Sequence, residues 1–393
     1  MHPRFPTSLR RAWRDLTTMQ LGVTPAHAQT LGPVSAGTAA LLRKLDGTRG
    51  LALLRKEARE SGLGEGQVDE LLTRLTEAGL LDDATAGAGD PEVARLRSRP
   101  GALARMAPEL AALGLVRGGR GEPGAGLRGL AARGRMRVQV RGAGRVGAQV
   151  AALLSAAGVG QVDVADTGLV EPADSSPGGL PPTAAGERRA VAARRLVRQC
   201  ATGCSPRTED AYALVVLTPR DGLDAYAPDP AEAEPLVARG IPHLYAGVLE
   251  ATGSTGPLVL PGRSPCAGCM ERHRIARDPA WPLLLTQWRS GGTARAAPAP
   301  SGELTLSAAV AGLTAAHALA FLDGEAPESA GWRWLLTLPR LAWRPEALGP
   351  HSACPCGAHL DRTDPHTAAE GRKGDTPSED QAAQGTMAEQ PFA

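Results

Sequence analysis

The segment that most restricts the fold of this chain runs from Arg137 to Asp166. Val138 and Val140 belong to a short strand pattern that leads into Gly142-Ala143-Gly144-Arg145-Val146-Gly147, and a helical stretch, Ala148 to Ala157, follows. A second strand pattern, Val162 to Asp166, ends on an acid. Strand, glycine turn, helix and acid-tipped strand occur together in nucleotide-binding α/β domains, where glycines let the backbone approach a phosphate resting on the helix N-terminus. Gly142, Gly144 and Gly147 would form that cradle, and Asp166 would accept hydrogen bonds from ribose hydroxyls. Tight strand-to-helix packing alone also asks for such glycines, so the segment predicts a fold before it predicts an occupant. Taken by itself it leaves open a nicotinamide or flavin dehydrogenase and an adenylating enzyme.

From Arg137 the alternation of apolar strand-like runs with helical segments continues to about residue 250, as in a doubly wound α/β domain. A chain of 393 residues has room for more than that. Residues 1–83 carry two short strand patterns, Thr17–Val23 and Ala28–Val34. Three helical patterns follow, Ala36–Leu45, Gly50–Ser61 and Gly66–Gly79, which together suggest a small winged-helix-like α+β module. Residues 84–134, with the Gly/Arg-rich run Arg117–Gly134, read as a linker with a short helix over Ala102–Leu115. The α/β domain is expected over 135–358, and the polar stretch 359–393 reads as a disordered tail.

Charge excludes one class of partner. Lys plus Arg number 43 and Asp plus Glu 41, so no basic excess exists to coat nucleic acid. The third helical pattern of the first module sets Glu65, Asp69, Glu70 and Glu77 against Arg74, which disfavours DNA binding there. No secretory h-region opens the chain. Leu306–Leu322 is interrupted by Ser307, Thr314 and His317 and reads as a packed helix rather than a membrane span. A cytoplasmic protein is expected.

Six cysteines include two close pairs, Cys266-Ala-Gly-Cys269 and Cys354-Pro-Cys356. Each pair can grip one side of a tetrahedral ion, and two pairs close the shell, so the pattern predicts a structural zinc rather than a Lewis-acid catalyst. Such a site would pin the returning C-terminal segment onto the α/β domain. Cys200 and Cys204 lack a nearby histidine to activate a thiol and read as small core residues. His243, at a strand start, reads as a packed or capping side chain.

The flanks of the glycine turn carry a family resemblance. Leu153–Asp174, LLSAAGVGQVDVADTGLVEPAD, and His243–Cys269, HLYAGVLEATGSTGPLVLPGRSPCAGC, resemble ThiF/MoeB-type proteins of the ubiquitin-activating-enzyme superfamily over roughly residues 135–357. Dehydrogenases do not normally pair the fingerprint with such cysteines. The resemblance implies a ThiF-type Rossmann-like sheet and adenylation of a carboxylate with ATP and magnesium. Carried over by position, it places the ribose-binding acid at Asp166 and a second acid at Gly168. An asparagine and an arginine fall near Asp174 and Pro177, a lysine near Arg189, and a magnesium-binding aspartate just beyond Val216, where only Asp221 is close. These departures predict a degenerate ATP site, because phosphoryl chemistry depends on positioned charge.

Residues 1–83 resemble the PqqD-like element that binds leader peptides, through WRDLTTMQLGV, Leu45–Gly50 (LDGTRG) and VDELLTRLTEAGLLDD. The two resemblances together imply a precursor-leader-binding protein of azole and thiopeptide biosynthesis. Such a protein delivers its precursor to a YcaO-type cyclodehydratase, by strand addition to an open sheet edge. The strand holding Gln20 and Leu21 is the edge expected to receive the peptide. A homodimer through Leu304–Leu322 is implied by the same resemblance. The rival reading is an active adenylyltransferase acting on a peptide carboxylate.

Overall fold

The computed structural model describes residues 1–118, 122–202, 211–290 and 302–360. It divides into two compact units, one over Met1–Ala132 and the other beginning at Arg133.

The first unit opens with strands β1 (Pro3–Arg4), β2 (Arg11–Trp13), β3 (Met19–Leu21) and β4 (Gln29–Leu31). Helices α1 (Ala36–Lys44), α2 (Leu51–Glu60) and α3 (Glu65–Glu77) follow, then β5 (Asp82–Asp83). Ser35 starts α1 by accepting the Thr38 N–H at 3.1 Å, an N-cap that satisfies one orphan donor. Leu41, Leu42, Leu54, Val68, Leu71, Leu72 and Leu75 recur at helical spacing and pack with Leu21 and Leu31 into one core. Strands β2, β3 and β4 form a three-stranded antiparallel sheet in that order. Gln20 and Leu21 therefore lie in the central strand, not on the receiving edge expected from the sequence. The hairpins on both sides of β3 place it between its chain neighbours, and the free edges are β2 and β4.

Where a linker was expected, the structure has four helices: α4 (Pro91–Arg97), α5 (Pro100–Arg105), α6 (Ala107–Gly118) and α7 (Ala125–Arg133). The glycine and arginine content hid a sparse apolar pattern, in which Val93, Leu96, Met106, Leu113 and Leu130 are all buried. Asp90 caps α4 through the N–H of Glu92 at 2.8 Å. The single helix expected over Ala102–Leu115 is two, divided at Met106.

The second unit runs β6 (Arg137–Arg141), α8 (Arg145–Ala156), β7 (Gln161–Ala165), α9 (Arg189–Cys200), β8 (Leu214–Leu217), α10 (Gly222–Tyr226), α11 (Pro230–Ala238) and β9 (His243–Leu249). It continues with β10 (Thr252–Val259), α12 (Ala267–Arg277), α13 (Trp281–Arg289), α14 (Leu304–Leu322), β11 (Trp332–Thr337) and β12 (Trp343–Ala347). Its seven-stranded sheet has the order β12-β11-β10-β9-β8-β6-β7. The strands from β7 to β9 are parallel and those from β9 to β12 antiparallel. Val138, Val140, Leu214, Val215 and Val216 are fully buried, as a parallel strand covered on both faces requires. Strands β7 and β8 flank β6 on opposite sides, which opens a crevice at the carboxyl ends of the strands.

Helix α14 is long and apolar enough to cross a membrane by length and composition. In this fold it is a core helix. Leu306, Val310, Ala311, Ala315, Ala318 and Leu322 are buried against α8, β9 and β10. Gly253 permits that approach, since a Cβ there would lie 2.3 Å from Val310 Cγ2. Of the expected tail, residues 359 and 360 belong to a 3-10 turn that begins at Ala358, and 361–393 lie outside the described residues.

Candidate metal centre and ligand crevice

Cys266 caps the start of α12 and Cys269 sits in its first turn, while Cys354 and Cys356 return from the C-terminal segment. The fold brings all four sulfurs within 4.8 Å of one another. Sulfur separations are 3.9 Å for Cys266–Cys269, 3.6 Å for Cys266–Cys354 and 3.5 Å for Cys269–Cys356. A tetrahedral shell with metal–sulfur bonds of about 2.3 Å has ligand edges of about 3.8 Å, so the spacing fits one ion. Cys266, Cys269 and Cys354 are buried. Their hydrophobic setting includes Val259, Met270 and Leu348. The hydrogen bond to Cys269, together with burial, pushes the Cys266 thiol well above the usual thiol range. Burial pushes Cys356 up to about 11. Such a cluster becomes thiolate only when a cation pays the electrostatic cost. Four ligands leave no open position, which fits a structural ion. Arg272 donates to the Gly268 carbonyl at 3.1 Å and lies 3.9 Å from Cys354 Sγ, a positive group beside the cluster.

The glycine turn sits between β6 and α8. Gly142 has φ +101, and a Cβ there would lie 1.9 Å from the Thr218 carbonyl oxygen. A Cβ on Gly147 would lie 2.1 Å from the Gly142 carbonyl and 2.4 Å from Thr218 Oγ1. Both residues are glycine because neighbouring backbone leaves no room. Gly144 is different: its nearest neighbour would be Arg220 Cγ at an ordinary 3.4 Å. Packing thus accounts for two of the three fingerprint glycines, and Gly144 alone of the three has room for a Cβ.

Asp166, expected to contact a ribose, lines the crevice and is bonded to neighbouring protein groups. Its carboxylate accepts the N–H groups of Ala143 and Gly168, each at 2.8 Å, and Arg189 Nε at 3.0 and 3.1 Å. Burial opposes its ionisation, but these donors hold the carboxyl below the usual carboxylate range. A side chain at position 168 would collide with Arg189, whose Nη2 lies 1.9 Å from where its Cβ would be. With glycine at 168 the Arg189 guanidinium occupies that space, and a side chain there would require the arginine to shift. Asp174 is buried and accepts Arg220 Nε at 2.7 Å, Arg189 Nη1 at 3.3 Å and the Glu171 N–H at 2.9 Å. Arg220 also donates to Glu171 at 2.7 Å.

Arg189, Arg220, Asp166, Asp174 and Glu171 thus form a connected ion network across the crevice, with carboxylates in excess of guanidiniums. Sequence reasoning did not single out Arg220, although it stands beside Pro219 and Asp221 in the segment searched for a metal-binding acid. Asp221 itself caps α10, accepting the Leu223 N–H at 3.0 Å. On one side of Arg220 lies a cavity of about 440 Å³, bounded by Asp166, Arg189, Asp224, Glu232 and Tyr245. On the other side lies one of about 70 Å³ against Gly144, Gly147 and Thr218.

His243 is fully buried, and burial lowers its pKa to about 4, so it is neutral and packed. Cys200 closes α9, and Cys204 lies outside the described residues.

A fold model described as the ThiF family matches residues 123–356, and the chain belongs to the ThiF family. No curated protein sequence matches it. Among solved structures, E. coli MccB with MccA-N7isoASN superposes with a TM-score of 0.64 at 13% identity, covering 91% of this chain and 100% of that one. E. coli MccB with ATP gives 0.63 at 13% identity, with 91% and 100% covered. The heterocyclase TruD gives 0.58 at 15% identity, covering 95% of this chain and 47% of TruD. At these identities the likeness is one of fold.

Proposed function

We propose that this ThiF-family protein acts in the maturation of a ribosomally made peptide. Within its first unit, a PqqD-like module of residues 1–83 binds the leader of a precursor, and the protein delivers that precursor to a YcaO-type cyclodehydratase. The observation that carries the reading is the free edge of β4. Arg10 and Gly22, and likewise Arg14 and Thr18, are bonded pairs of the β2–β3 ladder. Antiparallel alternation then turns Gln20 toward β2, and Met19 and Leu21 toward Leu31 and Gln29 of β4. Thr30 is left with its N–H and C=O pointing outward. Gln29 donates to the Ala78 carbonyl at 2.9 Å, which sets this edge beside the C-terminal end of α3. An extended peptide added there gains main-chain bonds from Thr30. MccB, solved with N-formylated MccA, and the heterocyclase TruD support the same reading by fold.

Thr30→Pro tests it. Proline removes the outward donor but leaves the β3–β4 ladder intact, and edge strands tolerate it. Leader affinity should fall about three- to tenfold, the loss of one main-chain bond, while circular dichroism stays unchanged. Full affinity in the folded variant refutes strand addition at β4.

The reading treats the ATP site as degenerate, because the crevice carboxylates already hold both arginines that a polyphosphate would need. Zinc, as a structural ion, is the occupant we propose for the cysteine cluster. The rival reading, an adenylyltransferase, draws on the intact glycine turn and on the fold shared with MccB, which was solved with ATP. ATP–pyrophosphate exchange with candidate precursors separates the two. Exchange at background level is expected, and robust exchange lost in Asp166→Ala favours the rival.

A further inference from the structure

The 440 Å³ cavity falls within the size range of small-molecule pockets, about 300–1,000 Å³. Its two polar walls differ chemically. One carries Arg189, bonded to Asp166 and Asp174, Arg220, bonded to Asp174 and Glu171, and Arg141, whose Nε donates to Gln139 at 2.7 Å. The other wall, from the segment of α10 and α11, presents Asp224, Asp229 and Glu232. Arg289 is the cation that the described residues set against these acids, 3.5 Å from Asp224 and 3.6 Å from Asp229. Both separations exceed the length of a charge-assisted hydrogen bond, about 2.7–2.9 Å. Glu232 has no ion pair among the described residues. Burial keeps the Asp224 carboxyl above the usual range, against Arg289, and the nearby Asp221 and Glu232 add to the effect. That wall is short of positive charge.

A second, independent observation lies between the walls. Tyr245, on β9, lines the cavity and is 3% exposed, and its hydroxyl oxygen has no hydrogen-bond partner. A buried hydroxyl left unbonded costs on the order of 1–3 kcal/mol, so a group that completes it belongs there. Leu217, Pro219, Pro228 and Ala233 supply an apolar lining for a methylene stem.

We propose that this cavity binds a cationic head group, a guanidinium or primary ammonium on an amino-acid side chain, seated between Asp224, Glu232 and the Tyr245 hydroxyl. A guanidinium offers five donors and no acceptor, which suits two carboxylates and a phenolic oxygen. The site is separate from leader binding by the first unit and holds whether or not that reading survives. A cation carried by a free amino acid and one carried by a peptide side chain share this chemistry.

Titration calorimetry of the full chain with L-arginine, Nα-acetyl-L-arginine amide and L-citrulline tests the proposal. L-Arginine should bind, and citrulline, nearly the same shape without the charge, should bind at least about tenfold more weakly. Equal affinity for the blocked arginine assigns the site to a peptide side chain, and weaker affinity assigns it to a free amino acid. Glu232→Gln should lower arginine affinity about tenfold with the fold retained by circular dichroism. Tyr245→Phe should lower it roughly threefold without lowering the melting temperature, because it removes an unpartnered hydroxyl. The proposal is overturned if arginine fails to bind up to roughly 10 mM. Equal binding of citrulline, or a folded Glu232→Gln chain with unchanged affinity, overturns it as well.

Discussion

Cys354→Ser should release the bound metal and lower the melting temperature by more than about 10 °C, the largest stability effect expected anywhere in the chain. Serine nearly preserves the volume of cysteine, so the loss reports the ion and not a cavity. The effect is large because the four sulfurs join two segments distant in sequence, the start of α12 and the stretch around Cys354–Cys356. Ligand binding and folding free energy are coupled in such a site: without a cation, buried thiols that resist ionisation gain nothing from being held 3.5–3.9 Å apart. Elemental analysis of the wild-type protein should find one zinc per chain, and scanning calorimetry with a chelator should reproduce the mutant's melting temperature. Cys200→Ser, away from the cluster, should change neither quantity. A wild-type chain that carries no metal after gentle purification and melts as Cys354→Ser does would falsify the site.

The second large effect separates the fingerprint glycines from one another. Gly142→Ala should destabilise the chain by about 3–5 kcal/mol, because a Cβ would meet the Thr218 carbonyl at 1.9 Å and the backbone sits at φ +101. Gly147→Ala should behave similarly through its 2.1 Å approach to the Gly142 carbonyl. Gly144→Ala should cost within about 0.5 kcal/mol, since its nearest neighbour would be at 3.4 Å. Urea unfolding of the three variants checks the order. Equal destabilisation by all three would contradict the packing explanation.

What could be read in the sequence follows from how local each signal is. The strand–glycine–helix–acid run and the two cysteine pairs are short-range patterns tied to one geometry; the nucleotide-binding type of fold and the sulfur cluster were legible from them, and the family from the flanks of the glycine turn. The helices between Pro91 and Arg133 were not, because Gly and Arg dilute their apolar stripe until only a few positions, such as Val93, Leu113 and Leu130, remain buried. The strand of Gln20 was expected at an edge but is central, because strand order is a property of the sheet and nothing local to Gln20 says that it lies between two neighbours. The tie between Asp166 and Arg189 joins the end of β7 to the start of α9 and is visible only once α9 is placed. Tyr245 and the acids of α10 and α11 come together from separate elements, and no motif joins them.

On the proposed function, the first unit receives a leader peptide and ATP plays no part in this. The most direct measurement is calorimetric titration of the full chain with the leader of its cognate precursor in the absence of ATP. The account predicts one-to-one binding near micromolar affinity, about −8 kcal/mol, unchanged when ATP and magnesium are added. No binding without nucleotide, or binding that persists in full when residues 1–83 are deleted, would contradict it.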